Sequence, residues 1–264
     1  MVAQFFSSIQ PFKALVVGDF MLDTYTTGRV KRISPEAPVP VMEVLNQESR
    51  PGGAGNVVLN LIALGAEVFA VGRLGADSAG EELKKRLRCA NTAGLVLEPN
   101  YKTPVKNRFI SDSQQLLRVD FETLSPLLPD CEEEVVAFVE KKLPFVHVMA
   151  ISDYGKGFLT PRLLRRLIDL AKDQKIPILI DPKGIDFSKY RGATLLKPNL
   201  AEAYAAAKLP ASASLDEVAQ TLLVMTNVDL LLITRSEAGI SLFERDGSRS
   251  DFPVHSKEVK DVTG

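Results

Sequence analysis

Short apolar runs bounded by Gly or by polar clusters recur along the chain. Residues 12–18 (FKALVVG) form one such run, and its ending in Gly reads as a buried strand of a parallel sheet. Similar runs occupy residues 67–72, 145–151, 177–180, 194–196 and 229–234. Between several of them, apolar positions recur at helical spacing, over residues 53–64, 79–88, 132–142, 161–172, 200–207 and 215–225. Strand alternating with helix predicts an α/β fold, a doubly wound and mostly parallel sheet.

Two stretches break the rhythm. Residues 24–45 contain SPEAPVP and then the alternating run VPVMEVL, and residues 103–121 alternate as TPVKNRFISDSQQLLRVDF. Both read as antiparallel strands outside the main sheet. They are expected either to pair as a small β lid over the sheet's carboxyl edge or to stand as two separate surface hairpins. Internal repeats and low-complexity tracts are absent, and only residues 210–214 resemble a linker.

Composition narrows the partners. The 264 residues are 45% hydrophobic, ample for one large α/β domain. With 32 basic against 33 acidic residues the net charge is -1, so no broad field attracts a polyphosphate backbone and nucleic acid is not an expected partner. A small anion would be held by a few locally placed cations or backbone N–H groups. Cys89 and Cys131 lie far apart without metal-ligand spacing and read as reduced thiols. No signal peptide pattern and no apolar run of about 18 residues is present, so the expectation is a cytoplasmic chain without a membrane partner.

No G-x-G-x-x-G follows the first strand, and G-x-x-x-x-G-K-[ST] does not occur. The first strand instead empties into Gly18-Asp19-Phe20-Met21-Leu22-Asp23, placing two carboxylates where open α/β sheets bind ligands. Carboxylates there accept hydrogen bonds from sugar hydroxyls, although Asp also caps turns. Arg50-Pro51-Gly52-Gly53-Ala54-Gly55-Asn56 reads as a Gly-rich opening of the next helix, with Asn56 adding a donor and an acceptor. Further on, Asp153 with Lys156, and Asp181 with Lys183, follow strand ends. Lys is a point-charge phosphate binder at such places. Asn199 with Glu202 suits either the water shell of Mg²⁺ or the capping of a helix. His147, within FVHVMAI, reads as a core residue.

The segments VVGDFMLDTY, RISPEAPVPV, RPGGAGNVVLNLIALGA, QQLLRVDFE, SDYGKG, IDPKGIDFSKYRGATLLKPNLAE, ITRSEAGISL and DVTG together resemble the ribokinase-like (PfkB) carbohydrate kinases. Within that family, SPEAPVPV and the DPKGxDFxxYxGATLL pattern resemble the heptose 7-phosphate kinase branch. The resemblance runs from about Lys13 to Gly264. It implies an α/β body with a β lid that forms a homodimer clasp, and ATP-dependent phosphoryl transfer with Mg²⁺. Asp19, Asp23, Gly52, Gly53 and Asn56 match sugar-contacting positions, and Arg108, Arg118, Asp153, Lys156 and Lys183 are candidates for the sugar or its phosphate. Asn199 and Glu202 match the N-x-x-E motif that organises Mg²⁺ and the nucleotide phosphates, Glu202 acting through water. Thr234, Arg235 and Gly239 fall on the nucleotide side.

Gly264 matches the start of the anion hole in D-T-x-G-A-G-D, with Val262 in place of the usual Thr. Asp261 and Thr263 match positions that bind a monovalent cation in some relatives. The motif's final Asp, the family's catalytic base, would follow Gly264, so the 264 residues by themselves are expected not to transfer phosphate. The implied reaction is phosphorylation of D-glycero-β-D-manno-heptose 7-phosphate on its 1-hydroxyl, on the route to nucleotide-activated heptose for lipopolysaccharide. The alternatives are a ribokinase-like kinase for another sugar or sugar phosphate, and a non-catalytic sugar or nucleotide sensor.

Overall fold

The computed structural model describes residues 9–254. Its central sheet has nine strands in the order β13-β12-β11-β10-β9-β8-β1-β4-β5. The strands are β1 (Lys13–Gly18), β4 (Glu67–Leu74), β5 (Asn91–Leu97), β8 (Val148–Ser152), β9 (Ile178–Asp181), β10 (Leu195–Leu196), β11 (Leu230–Thr234), β12 (Ile240–Glu244) and β13 (Arg249–Phe252). All pairings from β5 to β11 are parallel, and β12 and β13 add an antiparallel edge. Among the described residues six helices connect the strands: α1 (Ala54–Ala63), α2 (Ser78–Arg86), α3 (Pro129–Lys142), α4 (Pro161–Asp173), α5 (Leu200–Ala207) and α6 (Leu215–Thr226).

Strand alternation divides the core. Leu15 and Val17 of β1 join Met149, Ile151, Ile180, Leu231 and Ile233 in a cluster with α3 and α4, while Val16 joins Val68, Ala70, Val58, Leu83 and Leu87 beneath α1 and α2. In α4 the stripe Leu163, Leu164, Leu167, Ile168 and Ala171 is buried. Thr160 caps its start by accepting the Leu163 N–H at 3.0 Å, and Pro161 opens the first turn. Each such Leu contributes about 1.5–3 kcal/mol through burial.

The two irregular stretches form one four-stranded sheet, in the order β3-β2-β6-β7. Its strands are β2 (Phe20–Ile33), β3 (Pro40–Gly53), β6 (Val105–Ser111) and β7 (Gln114–Phe121). The parallel pairing of β2 with β6 joins what would otherwise be two separate hairpins. This sheet springs from the end of β1 after a single residue and returns at Gly53, directly into α1. It is thereby hung over the carboxyl ends of β1 and β8.

Three sequence expectations change. Residues 51–53 are the end of a strand rather than a helix-opening loop, because they pair with Phe20, Met21 and Leu22. Residues 145–151 do not form one strand: Pro144 lies in a 3-10 turn (Leu143–Phe145) and β8 begins only at Val148. His147 is therefore exposed, not core, and its Nδ1 accepts the Lys13 N–H at 3.0 Å. Among the described residues, no helix is long and apolar enough to cross a membrane.

Candidate active site

Asp23 sits on β2 in the wall of a cleft of about 380 Å³ formed by the four-stranded sheet, the start of α1 and the turn after β8. Met21, Tyr25, Arg50, Pro51, Gly53, Asn56, Lys106, Arg108 and Tyr154 complete its lining. Register explains the gathering. Asp23 lies opposite Arg50 of β3 and Lys106 of β6, and Tyr25 opposite Arg108, so alternation turns all five to one face. Arg108 Nη1 donates to Asp23 Oδ1 at 2.6 Å, and the guanidinium groups of Arg50 and Arg108 lie 5.9 and 5.3 Å from the Tyr25 ring. Burial pulls the Arg108 pKa down, but the hydrogen bond and charge of Asp23 outweigh it and leave it raised.

The glycines have local physical reasons. A Cβ on Gly52 would collide with the Asp23 carboxylate, so Gly there is what lets that carboxylate lie against the neighbouring strand. Gly53 has φ 56°, and a side chain there would strike the Asp19 carbonyl, which instead accepts the N–H of Ala54 at 3.0 Å. Asn56 is exposed on the first turn of α1 and faces the cleft.

Asp19 and Asp153 are buried and hold the segment Ser152–Gly157 rather than lining the cleft. Asp19 Oδ2 accepts the N–H groups of Tyr154 (2.9 Å) and Lys156 (3.2 Å), while its Oδ1 has no partner among the described residues. Burial raises its pKa above the ordinary carboxyl value, against the opposing pull of those two N–H groups. Asp153 accepts from Gly155 N–H (2.8 Å), Lys189 Nζ (2.8 Å) and the Tyr190 hydroxyl (2.7 Å). Arg73, fully buried, braces the same segment. Its Nη1 pairs with Glu98 at 3.0 Å and its Nη2 donates to the carbonyls of Ser125 (2.5 Å) and Lys156 (2.7 Å).

Of the remaining cations, Lys156 pairs with Glu122 at 2.5 Å, and Arg118, opposite Arg108 on β7, pairs with Asp120 at 2.9 Å. Lys183 pairs with Glu202 at 2.8 Å, on the far side of β9 from the cleft. None of these three lines the cleft.

At the next strand ends, Asn199 and Glu202 form a reciprocal cap on α5. Asn199 Oδ1 accepts the Glu202 N–H at 2.9 Å and Glu202 Oε2 accepts the Asn199 N–H at 3.1 Å. Asn199 bridges Thr234 in parallel fashion, which brings the ends of β10 and β11 together. Arg235 pairs with Asp251 at 3.3 Å and its N–H donates to the Gly239 carbonyl at 2.7 Å. Asp261, Thr263 and Gly264 lie outside the described residues. Sequence reasoning did not single out Lys106, Tyr25 or Tyr154. Period-two alternation with Asp23 and Arg108 is the signal that could have found the first two.

Residues 12–264 match the pfkB family carbohydrate kinase. The "Bifunctional protein HldE" of Trichlorobacter lovleyi is 44% identical over 268 residues, covering 100% of this chain and 55% of the relative. That of Geobacter metallireducens is 44% identical over 267 residues, covering 100% and 54%. The chain thus spans about half the length of the curated relatives it matches. Among solved structures, Arabidopsis thaliana ribokinase complexed with ribose and ATP superimposes with a TM-score of 0.71 at 15% identity, over 97% of this chain and 82% of that one. Phosphofructokinase-2 from Escherichia coli in complex with fructose-6-phosphate gives 0.69 at 19% identity, over 95% and 82%. These two likenesses show a ribokinase-like α/β fold. With the family match running from the first strand to the last residue, the chain belongs to the pfkB family of carbohydrate kinases.

Proposed function

We propose that this chain is the kinase part of an enzyme that transfers the γ-phosphoryl group of ATP to the 1-hydroxyl of D-glycero-β-D-manno-heptose 7-phosphate. The observation that carries the reading is the charge of the cleft: Arg50, Lys106 and Arg108 line it against one carboxylate, Asp23. A polar cleft with an excess of cations fits a ligand that is both hydroxylated and anionic. Asp23 and Asn56 offer acceptors and a donor to hydroxyls, and the cations face the sugar's own phosphate. The names of the relatives support the heptose branch, whose product serves nucleotide-activated heptose and lipopolysaccharide.

ATP is assigned to the edge formed by Asn199, Glu202, Thr234, Arg235 and Gly239. Among the described residues no cluster of three or more His, Cys, Asp or Glu could cage a metal, and Glu202 already accepts from Lys183 and from the Asn199 N–H. This donor set fits Mg²⁺ held by phosphates and water, with Glu202 as an outer partner. When bound, the ion neutralises charge on the transferring phosphates. The protein's share is positioning: Asp23 and Asn56 orient the acceptor, and Lys183 supplies a cation beside the phosphates. We also assign the four-stranded sheet a homodimer clasp, on the exposure of Ile33, Leu117 and Phe121 there.

The test is ADP release by the protein at its natural length over a panel of heptose 7-phosphate, the free heptose, ribose and fructose 6-phosphate. The expected kcat/KM for heptose 7-phosphate exceeds that for the free heptose by about 10²-fold, the worth of one to two charged hydrogen bonds. Equal efficiency with the free sugar would remove the sugar-phosphate reading, and no ADP with any acceptor would remove the kinase reading.

A further inference from the structure

The pattern DPKGxDFxxYxGATLL, which marks this branch in the sequence, contributes nothing to the cleft lining. Its tyrosine nevertheless occupies a particular place. Tyr190 is 0% exposed, at the end of a 3-10 turn (Ser188–Tyr190), with its ring edge-to-face on Phe187 at 5.8 Å. Its hydroxyl donates to Asp153 Oδ2 at 2.7 Å and accepts the Lys183 N–H at 2.9 Å. One oxygen atom therefore ties the turn that follows β8 to the turn that follows β9.

Each turn leads to a different substrate. From Asp153 the chain passes at once to Tyr154, a wall of the sugar cleft, whose N–H is also held by Asp19. From Lys183 the side chain reaches Glu202, which holds the Asn199 N–H at the nucleotide edge. Lys189 fixes Asp153 from the other side, with its ammonium 4.8 Å from the Tyr190 ring. Among the described residues, the Tyr190 hydroxyl is the one side-chain atom bonded to both turns. It has the right chemistry for a joint: a buried hydroxyl donates one hydrogen bond and accepts another in fixed directions. Burial, with the Asp153 charge beside it, raises the tyrosine pKa, which keeps that proton in place.

We propose that Tyr190 is a positioning residue that couples the two substrate sites, so that filling the nucleotide edge tightens the sugar cleft and the reverse. This rests on the assignment of the cleft to a sugar phosphate and of the Asn199 edge to ATP. Coupling between sites is reciprocal in free energy, so it is measurable from either ligand.

The experiment is calorimetric titration of the natural-length protein with heptose 7-phosphate, alone and in saturating Mg²⁺ with a non-hydrolysable ATP analogue. In the wild type the analogue should tighten sugar binding by about 5–100-fold, the usual range for coupled sites. Tyr190→Phe keeps the buried ring and removes the hydroxyl bridge, while Asp153 keeps its bonds from Lys189 and Gly155 and its N–H still donates to the Asp181 carbonyl at 3.0 Å. It should bring that factor to within about twofold of unity, while each ligand alone binds within about threefold of wild type. Lys189→Met, which loosens Asp153 but leaves the hydroxyl bridge, should weaken the sugar alone and retain the coupling. Lys189→Arg should behave as wild type. A Tyr190→Phe protein that keeps the full factor would overturn the inference, as would a wild type whose two ligands bind independently. A wild type that binds no heptose 7-phosphate would instead overturn the functional reading on which the inference rests.

Discussion

At the end of the sheet proposed to hold the sugar, Asp153 is held by three donors and Arg73 by one carboxylate and two carbonyls, with Asp153, Arg73, Glu98 and Tyr190 all buried. At the end proposed for the nucleotide, Lys183 with Glu202 and Lys197 with Asp181 are single ion pairs whose lysines stand open to solvent. Buried groups with several partners each have one arrangement, since leaving any of them unpaired costs about 1–3 kcal/mol. Exposed pairs contribute about 0–1 kcal/mol and exchange partners readily when a phosphate arrives. The end proposed for the acceptor is thus set in advance of binding, and the end proposed for the nucleotide is made of groups free to re-pair.

The largest effect expected from this contrast is on stability. Arg73→Met would strand the buried Glu98 carboxylate and release the carbonyls of Ser125 and Lys156. Breaking a buried pair from one side costs about 3–5 kcal/mol. At about 2–4 °C per kcal/mol for a chain of this size, the melting temperature should fall by about 6–20 °C. Lys183→Met, the counterpart on the exposed side, should change stability by no more than about 1 kcal/mol. Similar melting curves for the two variants would break the comparison.

Ligand affinity sharpens it next. Asp23→Ala removes a charged acceptor worth about 1.5–3 kcal/mol and frees Arg108, so sugar-phosphate binding should weaken by about 10²-fold with nucleotide binding unchanged. Glu202→Ala should do the opposite and more mildly, with Mg-ATP binding weakened by about tenfold and the sugar untouched. Equilibrium titration of both variants with both ligands reads the crossing. Loss of both ligands in either variant would contradict the division into two ends.

The smallest effect is a pH dependence. Burial raises the Asp19 pKa, so the folded chain binds that proton more tightly than the unfolded chain does. Stability therefore falls as pH rises from the unfolded carboxyl value, about 3.9, through the folded one, and is level above it. Asp19→Asn lacks this titration while keeping an acceptor for the N–H groups of Tyr154 and Lys156. Its melting temperature minus that of the wild type should rise across the same window and then flatten. A difference independent of pH would show that the fold does not raise the Asp19 pKa.

The sequence carried most of the parallel sheet, because strands buried on both faces are nearly continuous apolar runs, as KALVVG and LLLIT are. Strands β5, β12 and β13 escaped it: NTAGLVL and ISLFE interleave polar residues, and all four residues of RSDF are exposed. The alternation of residues 24–45 and 103–121 was readable, but the sequence left open whether they share a sheet, and the structure shows that they do. That sheet depends on the pairing of β2 with β6, residues more than 80 apart in sequence. The same long-range register brings Lys106 beside Asp23; alternation alone puts Lys106 on the face of Arg108 but not next to that carboxylate. Asn199 and Glu202 were legible as either a metal motif or a cap, and the structure shows the cap in full. Tyr190 was readable only as part of a pattern, since its two partners come from other strand ends.

The most direct test of the central claim is phosphorus NMR of a reaction containing the natural-length protein, ATP, Mg²⁺ and heptose 7-phosphate. As ATP is consumed, a new phosphate resonance coupled to the anomeric proton should grow while the 7-phosphate resonance persists. A new phosphate on any other carbon, or ATP left intact beside the sugar phosphate, would contradict the account.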